Sequence, residues 1–142
     1  MFQQGVFMQR TVINPRTVFN SLQYGFSQAV VVPSGRRVVL SGQVGVDAEE
    51  NTVGTDVSTQ ITVALNNIEA ILAEIGADLS HVVILRIYIV DAAKNDQQRI
   101  TEALLKRFPV NPPATSWVII RGLSEPEWLV EVEAEAVLPD EN

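Results

Sequence analysis

The chain has no cysteine and a single histidine, His81. The first absence removes disulfides, thiolate nucleophiles and thiolate metal sites together. The second rules out a multi-histidine metal centre and leaves any Ser-His-Asp triad dependent on one imidazole. No metal and no organic cofactor are expected. Basic residues are also scarce: 10 Lys and Arg stand against 17 Asp and Glu, a formal net charge of −7. A binder of nucleic-acid phosphates needs a concentrated basic surface. The adjacent basic pair Arg36-Arg37 sits in a turn-like stretch and the other basic residues are scattered, so no nucleic-acid partner is expected. No apolar run approaches the roughly 20 residues that span a bilayer, and no membrane partner is expected. The N-terminus, MFQQGVFMQR, lacks the basic start and long apolar stretch of a secretory signal. These absences read as a cytoplasmic protein. Met8 is an alternative start, and residues 1–13 read as a loosely held N-terminal extension.

What is present fits one domain over residues 1–142 with one core. Hydrophobic residues at 46% against charged residues at 19% exclude a disordered, tail-like chain. The β-branched run Ser27–Val32, the turn Pro33-Ser34-Gly35 and the run Val38–Leu40 predict a β-hairpin. Ser41–Val46 continues in a strand-like pattern interrupted by Gly42 and Gly45, where a bulge or a close backbone approach to a ligand is expected. From Asp56 the period becomes helical. Val57, Ile61, Ala64, Leu65, Ile68, Leu72 and Ile75 form one stripe, capped by Thr55 or Asp56 and ended by Gly76. The run from His81 to Val90 predicts a strand covered on both faces. A second helix is expected over Asn95–Phe108, stopped by Pro109, Pro112 and Pro113, and two strands follow at Thr115–Ile120 and Trp128–Val137. Two helices on one face of a mixed sheet leave half of that sheet uncovered, which argues for an oligomer.

Several stretches, in order, resemble the RidA/YjgF family of enamine/imine deaminases. They are Tyr24-Gly25-Phe26-Ser27-Gln28-Ala29, Ser41-Gly42-Gln43, Asn67-Ile68 with Ala70-Ile71-Leu72, Ala77-Asp78-Leu79, the strand ending Tyr88-Ile89-Val90-Asp91, and Pro113-Ala114 through Val130-Glu131-Val132-Glu133-Ala134. The resemblance spans about Tyr24 to Val137. It implies a chorismate-mutase-like α/β fold, a homotrimer, and small-molecule clefts between subunits. Active members hydrolyse 2-aminoacrylate and its 2-imino acid tautomer to 2-keto acids and ammonia.

Carried over residue by residue, the resemblance makes Glu133 and Ser41 the catalytic candidates, Glu133 as the water-activating carboxylate and Ser41 as a hydroxyl on substrate or water. It makes Phe26, Gly42, Thr115 and Trp117 candidates for substrate binding. The departures bear on activity. Active deaminases of this kind have an arginine directly after the Pro-Ala pair, and here that residue is Thr115. A guanidinium grips a carboxylate with two charge-assisted hydrogen bonds, and one neutral hydroxyl does not replace it. Phe26 stands where a tyrosine is usual, and Trp117 where cysteine is frequent. Alternation puts Thr115 and Trp117 on one side of their strand. Arg86, a charge in an apolar strand, is a further substrate-binding candidate; otherwise it pairs with Glu131, Glu133 or Glu135. His81 reads as a structural or surface residue, Asp91 as a cap or turn residue and Trp128 as an edge or contact residue. The expected function is a divergent deaminase or related hydrolase acting on C=N bonds, with standard 2-imino acid activity doubtful because of Thr115. The alternative is a non-enzymatic ligand-binding or regulatory trimer whose aromatic cleft takes an apolar ligand. A ribonuclease fits poorly with the acidic charge and single histidine.

Overall fold

A computed structural model describes residues 10–140. In chain order the strands and helices are β1 (Thr11–Ile13), β2 (Ala29–Val31), β3 (Arg36–Val39), β4 (Gln43–Val44), α1 (Val57–Ala73), β5 (Val82–Val90), α2 (Gln97–Arg107), β6 (Ala114–Ile120) and β7 (Val130–Leu138). The main sheet runs β3-β7-β5-β6, with β4 also paired to β7. β4 and β5 each pair antiparallel with β7, so they run parallel to one another, and β5 pairs parallel with β6. The crossovers through α1 and α2 therefore step the same way across the sheet. A common right-handed rule for such crossovers places both helices on one face.

The apolar stripe of α1 behaves as its period predicts. Ile61, Ala64, Leu65, Ile68 and Leu72 are fully buried, together with Ile100 and Leu104 of α2. They pack on Leu85, Ile87 and Ile89 of β5 and on Val130, Val132 and Ala136 of β7. Asp56 is the N-cap, its carboxylate accepting from the Thr59 amide at 2.6 Å. The helix ends at Ala73 and Gly76 is left-handed at φ 73°, so Ile75 lies past the stripe and is exposed. Gln60, a residue the apolar pattern does not flag, is wholly buried. Its amide nitrogen donates to the Gly54 and Glu127 carbonyls and its oxygen accepts from the Leu129 amide at 2.8 Å. One side chain thus fastens α1 to the loop entering β7, and its polar atoms are all satisfied, as burial requires.

Three expectations are corrected. The β2–β3 hairpin does not form: β2 pairs with β1, and β3 pairs with β7. The sequence offered β2 no other neighbour because the segment holding β1 read as loose. Of that segment, residues 1–9 lie outside the described residues, whereas Thr11–Ile13 is a strand and Arg10 is buried. The Arg10 guanidinium donates to the carbonyls of Asn111 at 2.5 Å, Leu79 at 2.8 Å and Val82 at 3.1 Å, and lies over the Phe108 ring. Finally, β5 is covered by helices on one face only. Leu85, Ile87 and Ile89 are fully buried, but Ile84, Arg86 and Tyr88 on the opposite face are half-buried.

The N-terminal segment reaches the sheet through a tight turn. Asn20 caps the 3-10 turn at Ser21–Tyr24, and Gly25 closes it in the left-handed region at φ 91°. A Cβ on Gly25 would lie 2.7 Å from the Leu104 Cβ of α2. Gly25→Ala therefore meets both backbone strain, on the order of 1–3 kcal/mol, and a collision with the Leu104 Cβ. Gly76 is left-handed as well but faces open space. Denaturant titration should show Gly25→Ala losing clearly more stability than Gly76→Ala; equal losses would mean that the turn does not seat on α2 as described.

Candidate functional site

The residues singled out from the sequence fall into two groups, one at each edge of the sheet. The first group is built by a bulge. Val39 pairs with Glu135 and Gln43 with Val132, so four steps on one strand oppose three on β7. The extra residue falls at Ser41-Gly42, which leaves Ser41 exposed and outside the ladder. Gly42 lies so close to β7 that a side chain there would collide with the Glu131 carboxylate. The carboxylate beside Ser41-Gly42 is thus Glu131, which the sequence reading did not single out. Glu133, two residues on, accepts a hydrogen bond from the Tyr88 hydroxyl. Burial, and then repulsion from Glu133, hold Glu131 above the usual carboxylate range.

Further along the same open face, Arg86 donates to Glu135 at 2.8 Å, and Arg37 donates to the same carboxylate at 2.8 Å. These hydrogen bonds, Arg37 first and then Arg86, hold Glu135 below its ordinary value. Arg86 therefore takes the pairing role weighed for it from sequence. It is register partner to Ser116, not Thr115, and so points to the face opposite Thr115.

The second group sits on the helix side of β6, the other edge. Thr115 and Trp117 are register partners of the core residues Leu85 and Ile87 and share their face. The Trp117 indole N–H donates to the Thr115 hydroxyl at 2.9 Å. Phe26 is brought to them by the turn at 21–24: Ser21 Oγ donates to the Phe26 carbonyl at 2.8 Å and the Ser27 amide to the Pro113 carbonyl at 3.0 Å. The Phe26 and Trp117 ring centroids lie 6.2 Å apart, and Phe19 meets Phe26 edge-on at 6.3 Å. Between this aromatic wall and the start of α2 opens a cleft of about 910 Å³. Its described lining is aromatic rings, the amides of Gln23, Gln28, Gln97 and Gln98, and the hydroxyls of Tyr24, Thr101 and Thr115, with no charged group.

The two groups lie on opposite faces of the sheet. β5 stands between the β7 glutamates and β6, a lateral gap of about 10 Å at usual strand spacing. One small molecule cannot touch both within a single chain. His81 does not join either group; it is buried, and its Nδ1 accepts from the Asp78 amide at 3.1 Å in a capping turn. Asp91 begins a 3-10 turn and approaches Lys94, and the Trp128 indole donates to Thr52. Among the described residues no cluster of three His, Cys, Asp or Glu converges on a metal position, and no helix is long and apolar enough to cross a membrane.

The opposite shifts of Glu131 and Glu135, on one face of β7, carry opposite pH signatures. Glu131 is raised in the folded state, so it destabilises above its folded pKa and the penalty disappears as pH falls toward the ordinary value. Glu135 is depressed, so its stabilisation is present above the ordinary value and lost as pH falls through the folded one. At pH 7, Glu131→Gln should raise and Glu135→Gln lower the denaturation midpoint at matched protein concentration. Both differences should shrink at acid pH, and shifts of the same sign would contradict the assignment.

The family model described as endoribonuclease L-PSP matches residues 20–138. Protein DfrA of Myxococcus xanthus is 37% identical over 113 residues, covering 79% of this chain and 84% of that one. The 2-iminobutanoate/2-iminopropanoate deaminase of Salmonella typhimurium is 31% identical over 109 residues, covering 75% and 83%. Among solved structures, the Rid-family protein YyfB of Yersinia pestis superposes with a TM-score of 0.86 at 36% identity, covering 92% of this chain and all of that one.

Proposed function

The chain belongs to the Rid (RidA/YjgF) family matched by the endoribonuclease L-PSP model, and from that premise we propose that it is a homotrimer whose small-molecule clefts are completed between copies. In this reading it hydrolyses C=N bonds of substrates other than simple 2-imino acids. The observation that carries it is the division of the candidate site between two edges and two faces of one sheet. A second copy docked edge to edge brings the Ser41-Gly42-Glu131 corner of one chain to the Phe26-Thr115-Trp117 cleft of the next. The open sheet face supports such assembly, because Val39 and Val118 are exposed on it beside half-buried ion pairs.

The chemistry needs only water and proton carriers. Water adds to the imine carbon while the imine nitrogen gains a proton, giving a carbinolamine. Loss of ammonia, as the hydroxyl proton leaves, then yields the carbonyl. Glu131 suits the proton-carrying role, since a raised carboxylate pKa moves its titration toward neutral pH. Ser41 offers an exposed hydroxyl beside it. Glu133, with its hydrogen bond from Tyr88, would position Glu131 through repulsion. Among the described residues the site lacks a cation for a substrate carboxylate: Thr115 is neutral and engaged by Trp117, and Arg86 faces away and is paired with Glu135.

A second reading, a ligand-binding trimer without turnover, is favoured by the aromatic lining alone. The single-histidine arrangement gives little support to ribonuclease chemistry, because His81 is buried in its own turn.

Ammonia release from freshly generated 2-aminoacrylate separates these readings. Wild type should be slow, and Thr115→Arg should raise kcat/KM about ten- to a hundredfold, the worth of one charge-assisted pair. Glu131→Gln added to Thr115→Arg should abolish the gain. A fast wild type would show that another group holds the carboxylate. A Thr115→Arg protein as inert as its parent would favour the binding-only reading.

A further inference from the structure

We infer that the cleft between the N-terminal turn, α2 and β6 takes a planar aromatic ligand that bears N–H donors and no acid group, such as an aromatic imine, amidine or amide. This rests on the preceding reading of the cleft as the ligand site and names the class that fits it.

The aromatic wall is fixed in place. Trp117 packs on the core and donates its indole N–H to Thr115 at 2.9 Å, so it offers a ligand a ring face and no hydrogen-bond donor. Phe26 adjoins it at 6.2 Å, and Phe19, next in the row, is 61% exposed. Three aromatic rings converging on one opening provide stacking area for a flat molecule.

The amide groups of the cleft are mostly oriented by the backbone. Gln23 Nε2 donates to the Asn20 carbonyl at 2.9 Å, Gln28 Nε2 to the Phe19 carbonyl at 2.9 Å and Gln97 Nε2 to the Lys94 carbonyl at 2.8 Å. Each of these bonds uses one of the two N–H groups and leaves the amide oxygen free to accept. The described lining therefore offers free amide oxygens and holds no cation. Free amide oxygens reward ligand N–H groups, and no cation rewards an anion. A carboxylate entering it sheds water and gains no compensating charge. The corner that would close the cleft from a neighbouring copy adds the Glu131 carboxylate, which opposes anions further.

The test uses benzamidine, benzamide and benzoate, three planar probes of nearly one shape. Binding is followed on the whole wild-type protein by titration calorimetry and by the Trp117 indole N–H resonance. Trp128, bonded to Thr52 elsewhere, serves as the internal control. Benzamide and benzamidine should each bind at least tenfold tighter than benzoate and shift Trp117 selectively. Thr115→Arg should strengthen benzoate at least tenfold. Trp117→Phe, which keeps a ring face, should preserve the order, and Trp117→Ala should weaken all three probes. Benzoate binding as tightly as benzamide overturns the inference, as does the absence of binding by all three at millimolar concentration. A wild type that ranks the probes as expected but hydrolyses no imine removes the hydrolase reading and leaves this one standing. Turnover of imines with no preference for amide over acid does the reverse.

Discussion

The period-two alternation of β7 directs Val130, Val132, Ala134 and Ala136 into the helices and sets Glu131, Glu133 and Glu135 on the other face. Both halves of the molecule's character follow from that division. The apolar side, with β5 and α1, is where the fold's hydrophobic free energy lies, at about 25 cal/mol per Å² of apolar surface removed from water. The acidic side cannot be buried against a helix without cations or water. It is served by Arg37, Arg86 and Tyr88 in one chain, and it leaves a wide sheet face for another copy to meet. β7 also accepts β3 and β4 on one flank with a one-residue bulge between them, which puts Ser41 and Gly42 beside Glu131.

The second determinant is a substitution of charge by packing. An arginine after Pro113-Ala114 would have supplied a cation to the cleft, whereas Thr115 hands its hydroxyl to Trp117 and the two side chains brace each other. The cleft gains a rigid apolar wall and loses an anion clamp. In the proposed reading, the cleft sets which molecules bind and the Glu131 corner carries the proton.

Local patterns were legible in the sequence where the decisive interactions are local. The α1 stripe, a cap at Thr55 or Asp56 and the left-handed Gly76 were read from spacing and residue type, and so was the shared face of Thr115 and Trp117. Pairings between distant segments were not. Nothing in Ala29–Val31 says that its partner is Thr11–Ile13 and not the strand after Pro33-Ser34-Gly35, because both candidates are short and β-branched. The burial of Arg10 depends on carbonyls more than 65 residues away. Glu131 and Glu133 show the limit most sharply. They have the same parity and similar neighbours, so alternation cannot separate them. Only the register of the bulge on the facing strand places one beside Gly42 and the other under Tyr88.

The claim on which the rest stands is that the site is completed between copies of the chain, and sedimentation equilibrium across a wide concentration range tests it most directly. The account predicts a single species of three times the 15.6 kDa chain mass, persisting at the concentrations where ligand binding is measured. A species of one chain mass under those conditions would contradict it, because the Ser41–Glu131 corner and the Thr115–Trp117 cleft would then never meet.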